Sequence, residues 1–204
     1  MKTLGELGKY QQRRRQVIAI IIALLVVALL FVRAQSSNHI HEYIEAFGIS
    51  LIVVAIIGRI WCTLYIGGRK SAEIVSSGPY SVTRNPLYVF SAIGAVGVGA
   101  QTGSLIVALA FGLLCYLAFA TVIRTEEKFL AQNFGQPYRE YLARVPRFFP
   151  NFALFRDDAE LVVKPDRIYR TFMDGLIFFI AYPFFEFVEY LQNIGTLPVL
   201  LRLY

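Results

Sequence analysis

The strongest constraint on this chain is an unbroken apolar run over residues 17–32, set directly after Arg13-Arg14-Arg15 and followed by no small-residue cleavage pattern. In a bilayer a backbone must satisfy its own N–H and C=O groups, so such a run reads as a retained transmembrane helix. Further apolar stretches lie at 43–66, which carries Arg59, at 86–100 and at 105–123. The last two are joined by the tight turn Gln101-Thr102-Gly103-Ser104. Residues 169–192 are harder to place: only 175–185 is cleanly apolar, Pro183 interrupts it, and Asp174, Glu186 and Glu189 flank it. Because Glu186 and Glu189 share a helical face that can point into a bundle, this stretch is read as a fifth span.

A chain of 204 residues that is 56% apolar is too short for several soluble domains and too apolar for one ordinary core. It reads as a single membrane domain, 1–204. With a cytosolic N-terminus, all of the 20 Lys and Arg residues except Arg33, Arg59 and Arg202 fall inside. That satisfies the positive-inside rule and explains the basic balance through topology and lipid headgroups, with no nucleic-acid partner. Cys62 and Cys115 fall within spans as packing residues. His39 and His41 fall in an outside loop, remote from the polar clusters described below, and are not read as metal ligands. Arg59, costly inside a span, calls for a partner: a bound cofactor, an acceptor headgroup, or Glu186 or Glu189.

At ~1.5 Å per residue, the runs at 17–32 and 86–100 reach only ~24 Å or less, short of a ~30 Å hydrocarbon core. The hairpin over 86–123 is therefore expected to be short or shallow. Gly94, Gly97, Gly99 and Gly103 recur on or just after its first arm, where small residues let helices approach closely or let a ligand touch backbone. Beyond residue 123 the helix continues into the cytosol through Glu126 and Phe129 until Phe134-Gly135 and Pro137 interrupt it, and a short helix over 138–145 follows. Arg147-Phe148-Phe149, then Phe152 and Phe155, form an aromatic and basic stretch suited to headgroups.

Two polar clusters stand out against this apolar background. Gly78-Pro79 makes a turn, Thr83-Arg84-Asn85 starts a helix, and Pro86 takes the first-turn position that its missing N–H tolerates. Local structure leaves Arg84, Asn85 and Tyr88 unexplained at a helix N-terminus, where backbone donors and an Arg can meet a carboxylate. Glu126 and Glu127 are either a solvated juxtamembrane face or the partners of an ammonium or sulfonium. With Arg124 two residues earlier, the group has the charges to hold both ends of an amino-acid moiety.

The ordered set Gly78-Pro79-Tyr80, Arg84-Asn85-Pro86-Leu87-Tyr88, Gly97-Val98-Gly99, Arg124 with Glu126-Glu127, and Phe134-Gly135, Tyr138, Tyr141, Val145-Pro146-Arg147 resembles the integral-membrane isoprenylcysteine carboxyl methyltransferase and phospholipid methyltransferase family. The match covers residues 74–150 and leaves 151–204 as a C-terminal extension that shapes an acceptor cavity or a homodimer contact. The resemblance implies an all-α polytopic bundle, here of about five transmembrane helices, with a cytosolic pocket for S-adenosylmethionine. It implies Arg84, Asn85, Pro86, Tyr88, Gly97, Gly99, Glu126, Glu127, Tyr138 and Tyr141 at the cofactor, and Tyr88, Arg124 and Glu127 as candidate catalytic groups. One departure is that Asn85 stands where the family has His, so an imidazole base is not available there. The implied acceptor is lipophilic and enters sideways from the bilayer among membrane lipids. A phospholipid amine is preferred over a prenylcysteine carboxylate or a small hydrophobic thiol or acid. Two rivals from other classes are a membrane reductase using NADPH and a non-catalytic membrane subunit.

Overall fold

The computed structural model describes residues 24–35, 38–69 and 73–203. Most of the expected first span lies outside the described residues; of it, 24–29 are helical. The body of the molecule is an antiparallel bundle built around α1 (Asn38–Ile66), α3 (Pro86–Ala100) and α4 (Leu105–Phe134), with α2 (Pro79–Val82) a single turn before α3. Helix α3 lies between α1 and α4 and contacts both. After α5 (Gln136–Arg144) the chain loops back and forms α6 (Pro165–Leu176) and α7 (Ala181–Asn193), joined by a 3₁₀ turn at Ile177–Ile180. Helix α6 packs on α1.

Among the described residues, three helical stretches, His39–Ile66, Leu105–Phe134 and Pro165–Asn193, are long and apolar enough to cross a membrane. Leu109, Leu113 and Leu117 are exposed along α4 at a spacing of four residues, an apolar stripe that lipid would cover. Helix α3, at 15 residues, spans about 22 Å and is the short arm expected from the sequence. Pro86 opens it at the first turn, and Ser104 accepts from the Val107 N–H at 3.4 Å to cap α4.

The glycines of α3 serve packing. A Cβ on Gly97 would lie 2.7 Å from the Gly48 carbonyl oxygen and 2.9 Å from Ile52 on α1. A Cβ on Gly99 would lie 2.8 Å from the Ala108 Cα on α4. Backbone-to-backbone approach of this kind holds helices together where water supplies no hydrophobic drive. Gly99→Leu is therefore expected to destabilise the α3–α4 hairpin by about 1–3 kcal/mol, as overpacking does. Thermal unfolding in detergent measures that loss, and the folded fraction should bind cofactor with unchanged affinity.

Four placements differ from the sequence expectation. His39 and His41 belong to the first turn of α1 and not to a loop, and His41 lies 3.0 Å from Glu45 and 3.3 Å from Glu189. Glu189 also pairs with Arg33 at 3.4 Å, so it serves the end of the bundle opposite to α2 and does not reach Arg59. Instead of a glutamate, Arg59 takes Ser91 on α3 as its hydrogen-bond partner. The third difference is a pair of three-residue strands, β1 (Val32–Ala34) and β2 (Leu201–Leu203), which run parallel with Val32 opposite Leu201. The interruption attributed to Pro183 falls earlier, in the 3₁₀ turn at Ile177–Ile180: the proline ring would crowd the carbonyl of Phe179, four residues back, and the tighter winding there relieves it.

Candidate functional site

The end of the bundle at which α1 and α4 finish and α3 begins is tied together by a returning strap, residues 146–158. Its backbone holds the α2 region from outside: the Arg84 N–H donates to the Pro146 carbonyl at 2.9 Å, the Asn151 N–H to Val82 at 2.9 Å, and the Gly78 N–H to Arg156 at 2.8 Å. Thr83 Oγ1 donates to the Phe148 carbonyl at 3.1 Å, and Asn85 Nδ2 to the Arg147 carbonyl at 2.9 Å. Gly78 (φ 54°) and Gly135 (φ 60°) supply the left-handed turns that start α2 and break α4 from α5. Phe149, Phe152 and Phe155 remain exposed on the strap, while Phe148 packs edge-on against Tyr116 of α4 at 4.8 Å. This is the aromatic surface expected at a headgroup layer.

Inside the strap lies a cavity walled by Tyr80, Arg84, Asn85, Leu87 and Tyr88 from the α2–α3 segment. Glu126, Glu127, Phe129, Leu130 and Phe134 come from α4, Tyr138 and Tyr141 from α5, and Ile66, Glu73, Ile74 and Val75 close the remaining side. The Tyr88 hydroxyl donates to Glu126 Oε2 at 3.0 Å, bringing together two motifs 38 residues apart. The Tyr88 ring stacks on Phe119 with centroids 4.5 Å apart. Glu127 is buried between two guanidinium groups, with Arg84 Nε 3.0 Å from Oε1 and Arg147 Nη2 2.9 Å from Oε2. The alignment of Arg84 Nε is too poor for a hydrogen bond, so that contact is an ion pair; its Nη1 donates to the Leu142 carbonyl at 2.6 Å.

Of the residues expected at the cofactor, Arg84, Asn85, Tyr88, Glu126, Glu127, Tyr138 and Tyr141 all line this cavity. Gly97 and Gly99 do not. They sit nine and eleven residues past Tyr88, roughly 14 and 16 Å along the helix, and are used against α1 and α4. Pro86 is buried in the first turn of α3 and caps the helix without reaching the cavity. Arg124 is exposed outside it. At 3.6 residues per turn, the inward stripe of α4 runs through Ile123, Glu127 and Leu130, and Arg124 falls on the flank of Glu127 opposite to Glu126. Arg84 and Arg147 occupy the place assigned to it beside the acids.

Tyr80, Phe134, Glu73 and the Ile74-Val75 step were not singled out as wall residues, though Tyr80 and Phe134 belong to the ordered motif. The Tyr80 ring lines the cavity while its hydroxyl is buried without a partner among the described residues, and burial pushes that phenol well above the ordinary range. Burial, aided by the nearby Glu127 charge, raises the Tyr138 phenol to about 12. Tyr141 is also raised, mainly by burial, and donates to the Tyr80 carbonyl at 2.8 Å. The three phenols therefore stay neutral donors at physiological pH, available for hydrogen bonding and not as bases.

The phospholipid methyltransferase family model matches residues 43–137. Among characterised proteins, the chain is 36% identical over 160 residues to the nickel-cobalt-cadmium resistance protein NccN of Alcaligenes xylosoxydans xylosoxydans, covering 78% of this chain and 75% of that one. It is 34% identical over 185 residues to the cobalt-zinc-cadmium resistance protein CzcN of Cupriavidus metallidurans, covering 90% and 85%. It is also 34% identical over 120 residues to protein-S-isoprenylcysteine O-methyltransferase B of Arabidopsis thaliana, covering 54% and 61%. No solved structure matches.

Proposed function

The chain belongs to the phospholipid methyltransferase family, and we propose that the cavity beside Tyr88 and Glu126 is where this membrane methyltransferase holds S-adenosylmethionine. The observation that carries the reading is the Tyr88–Glu126 hydrogen bond, which closes two separated polar motifs around one cavity. The donor set fits such a ligand: three carboxylates (Glu73, Glu126, Glu127) and the Arg84 guanidinium for a charged amino-acid end, and Tyr80, Tyr88, Phe134 and Tyr138 for an aromatic base. When bound, the cofactor supplies an electrophilic methyl group on a sulfonium.

The chain's own task is alignment and exclusion of water. Glu127, already compensated by Arg84 and Arg147, fixes both guanidinium groups and is not placed as a base. Tyr88 orients Glu126, and the aromatic walls close the site. The acceptor is lipophilic and reaches the site from the bilayer beside α1 and α3. A carboxylate acceptor needs no base, in keeping with Asn85 in place of an imidazole. The Arabidopsis relative is named for methylating isoprenylcysteine, which favours a carboxylate acceptor over the phospholipid amine preferred from the sequence. The cavity side faces the cytosol, where the basic residues of 124–170 gather.

Titration of the detergent-solubilised protein with S-adenosylhomocysteine should show one saturable site. Membranes given radiolabelled methyl donor should place label in an organic extract. Binding of NADPH in its place would support a reductase, and binding of neither ligand would overturn the enzyme site assigned to this cavity.

A further inference from the structure

We propose that a second, open hollow, between α5 and the strap, is the seat of an anionic phospholipid that is held there and not methylated, and that this lipid steadies the cofactor cavity behind it; the second half rests on the cofactor reading above. The hollow is lined by Arg84, Leu142, Arg144, Pro146, Phe149 and Asn151 among others, and no acidic side chain forms part of its wall. It is a separate space from the cofactor cavity, and among the described residues Arg84 alone lines both. Arg144 ends α5, is exposed, and among the described residues forms no ion pair. Arg84 Nη1 is fixed on the Leu142 carbonyl at 2.6 Å, and Asn151 Oδ1 accepts from the Ala153 N–H at 3.1 Å, so the donor side of that amide is left for a ligand. Arg84 and Arg147 share the single charge of Glu127, and Arg144 beside them has no acid to share, so the hollow keeps a positive surplus. Guanidinium groups and an amide donor with no carboxylate among them suit a phosphate.

Phe149 makes that phosphate a lipid's. Its ring is 76% exposed and lies 6.5 Å from Tyr116 of α4, on which Phe148 also packs. Tyr116 comes eleven residues before Glu127, about 16 Å along α4 and inside the apolar stretch 105–123. The strap thus carries one wall of the hollow down to the hydrocarbon while Arg144 and Arg84 stay at the polar level, an arrangement that matches a headgroup phosphate with its acyl chains below. A free phosphate ion would gain nothing from an exposed phenylalanine. The same stretch of strap holds the cavity wall, through the Arg84 N–H on the Pro146 carbonyl and the Asn151 N–H on the Val82 carbonyl, both at 2.9 Å. A lipid gripped between Arg144 and Asn151 restrains those contacts, and by linkage lipid and cofactor each favour the binding of the other.

Trp61→Phe combined with Phe149→Trp moves the chain's one tryptophan into the hollow. In phosphatidylcholine nanodiscs doped with dibromoacyl phosphatidylglycerol, its fluorescence should be quenched saturably, half-complete at a mole fraction about tenfold below that needed for dibromoacyl phosphatidylcholine, the preference expected of one charge-assisted contact. Arg144→Gln should lose most of that preference and Arg144→Lys keep part of it. Equal quenching by the two lipids, or a preference unchanged in Arg144→Gln, would overturn the seat. Excess inorganic phosphate should leave the quench as it was; displacement of the lipid by the free ion would overturn its assignment to a lipid. Label from a radioactive methyl donor appearing in phosphatidylglycerol would make the lipid an acceptor and overturn the proposal as well. In the parent protein, S-adenosylhomocysteine should bind severalfold more tightly with phosphatidylglycerol present than in phosphatidylcholine alone, a gain that Arg144→Gln removes; equal affinity in both would overturn the coupling. The quench is read without cofactor, so lipid preference in a protein that binds no S-adenosylhomocysteine would sink the cofactor site and leave the lipid seat in place.

Discussion

Replacing Glu127 by alanine is expected to abolish methyl transfer and to lower stability by about 3–5 kcal/mol, the cost of stranding a buried charge. Glu127 and Arg84 are both about nine-tenths buried, and among the described residues Arg84 Nε has no other partner. The contact with half-exposed Arg147 is solvent-screened and adds little to the loss. A functional defect in this variant alone would therefore be ambiguous. The double variant Arg84→Met with Glu127→Met resolves it, because replacing a buried pair by apolar side chains of similar volume is often neutral for stability. Thermal unfolding in detergent should return close to the parent value in the double variant, while S-adenosylhomocysteine binding stays lost. Recovery of binding with stability would show that the pair is a structural brace with no part in the site.

The helical frame of this site was legible because its signals are local. Pro86, the Gly103-Ser104 turn and Gly135 mark helix ends by chain geometry alone, and the hairpin boundaries at Ala100 and Leu105 and the break after Phe134 follow from them. The meeting of Tyr88 with Glu126 was legible through the hairpin, since a tight turn returns the second arm to the level of the first. What remained ambiguous depends on which face of a helix a neighbour covers. Gly97 and Gly99 have the size for either ligand approach or close packing, and only the positions of Gly48, Ile52 and Ala108 decide for packing. Arg124 and Arg84 are equally basic, and the choice between them rests on a rotation of α4 that composition does not encode.

The strap and the small sheet were hidden for a different reason. Hydrogen bonds from Asn151 to Val82 and from Gly78 to Arg156 join backbone groups about seventy to eighty residues apart, and backbone pairing leaves no trace in side-chain type. The Val32–Leu201 pairing is more distant still, and its strands are only three residues long, too short for an alternating pattern. The role of Arg147 was hidden likewise: in the sequence it reads as one cation in an aromatic interfacial run, and only the returning strap lays it on Glu127.

Glu126→Ala is expected to weaken S-adenosylmethionine binding by about ten- to a hundredfold, the loss of one charge-assisted contact of about 1.5–3 kcal/mol. Unlike Glu127, Glu126 is only half-buried and faces the Tyr88 hydroxyl, so its removal should leave the unfolding temperature nearly unchanged. Tyr88→Phe removes the neutral donor that orients the carboxylate and should cost severalfold in affinity, well short of the alanine variant. The two ligand forms then tell which charge Glu126 meets. S-adenosylhomocysteine keeps the ammonium but lacks the sulfonium charge. A loss confined to S-adenosylmethionine places Glu126 at the sulfonium, beside the reacting methyl, and an equal loss for both places it at the ammonium. Affinity unchanged for both ligands would remove Glu126 from the site, and with it the reading of the Tyr88–Glu126 junction as a cofactor clasp.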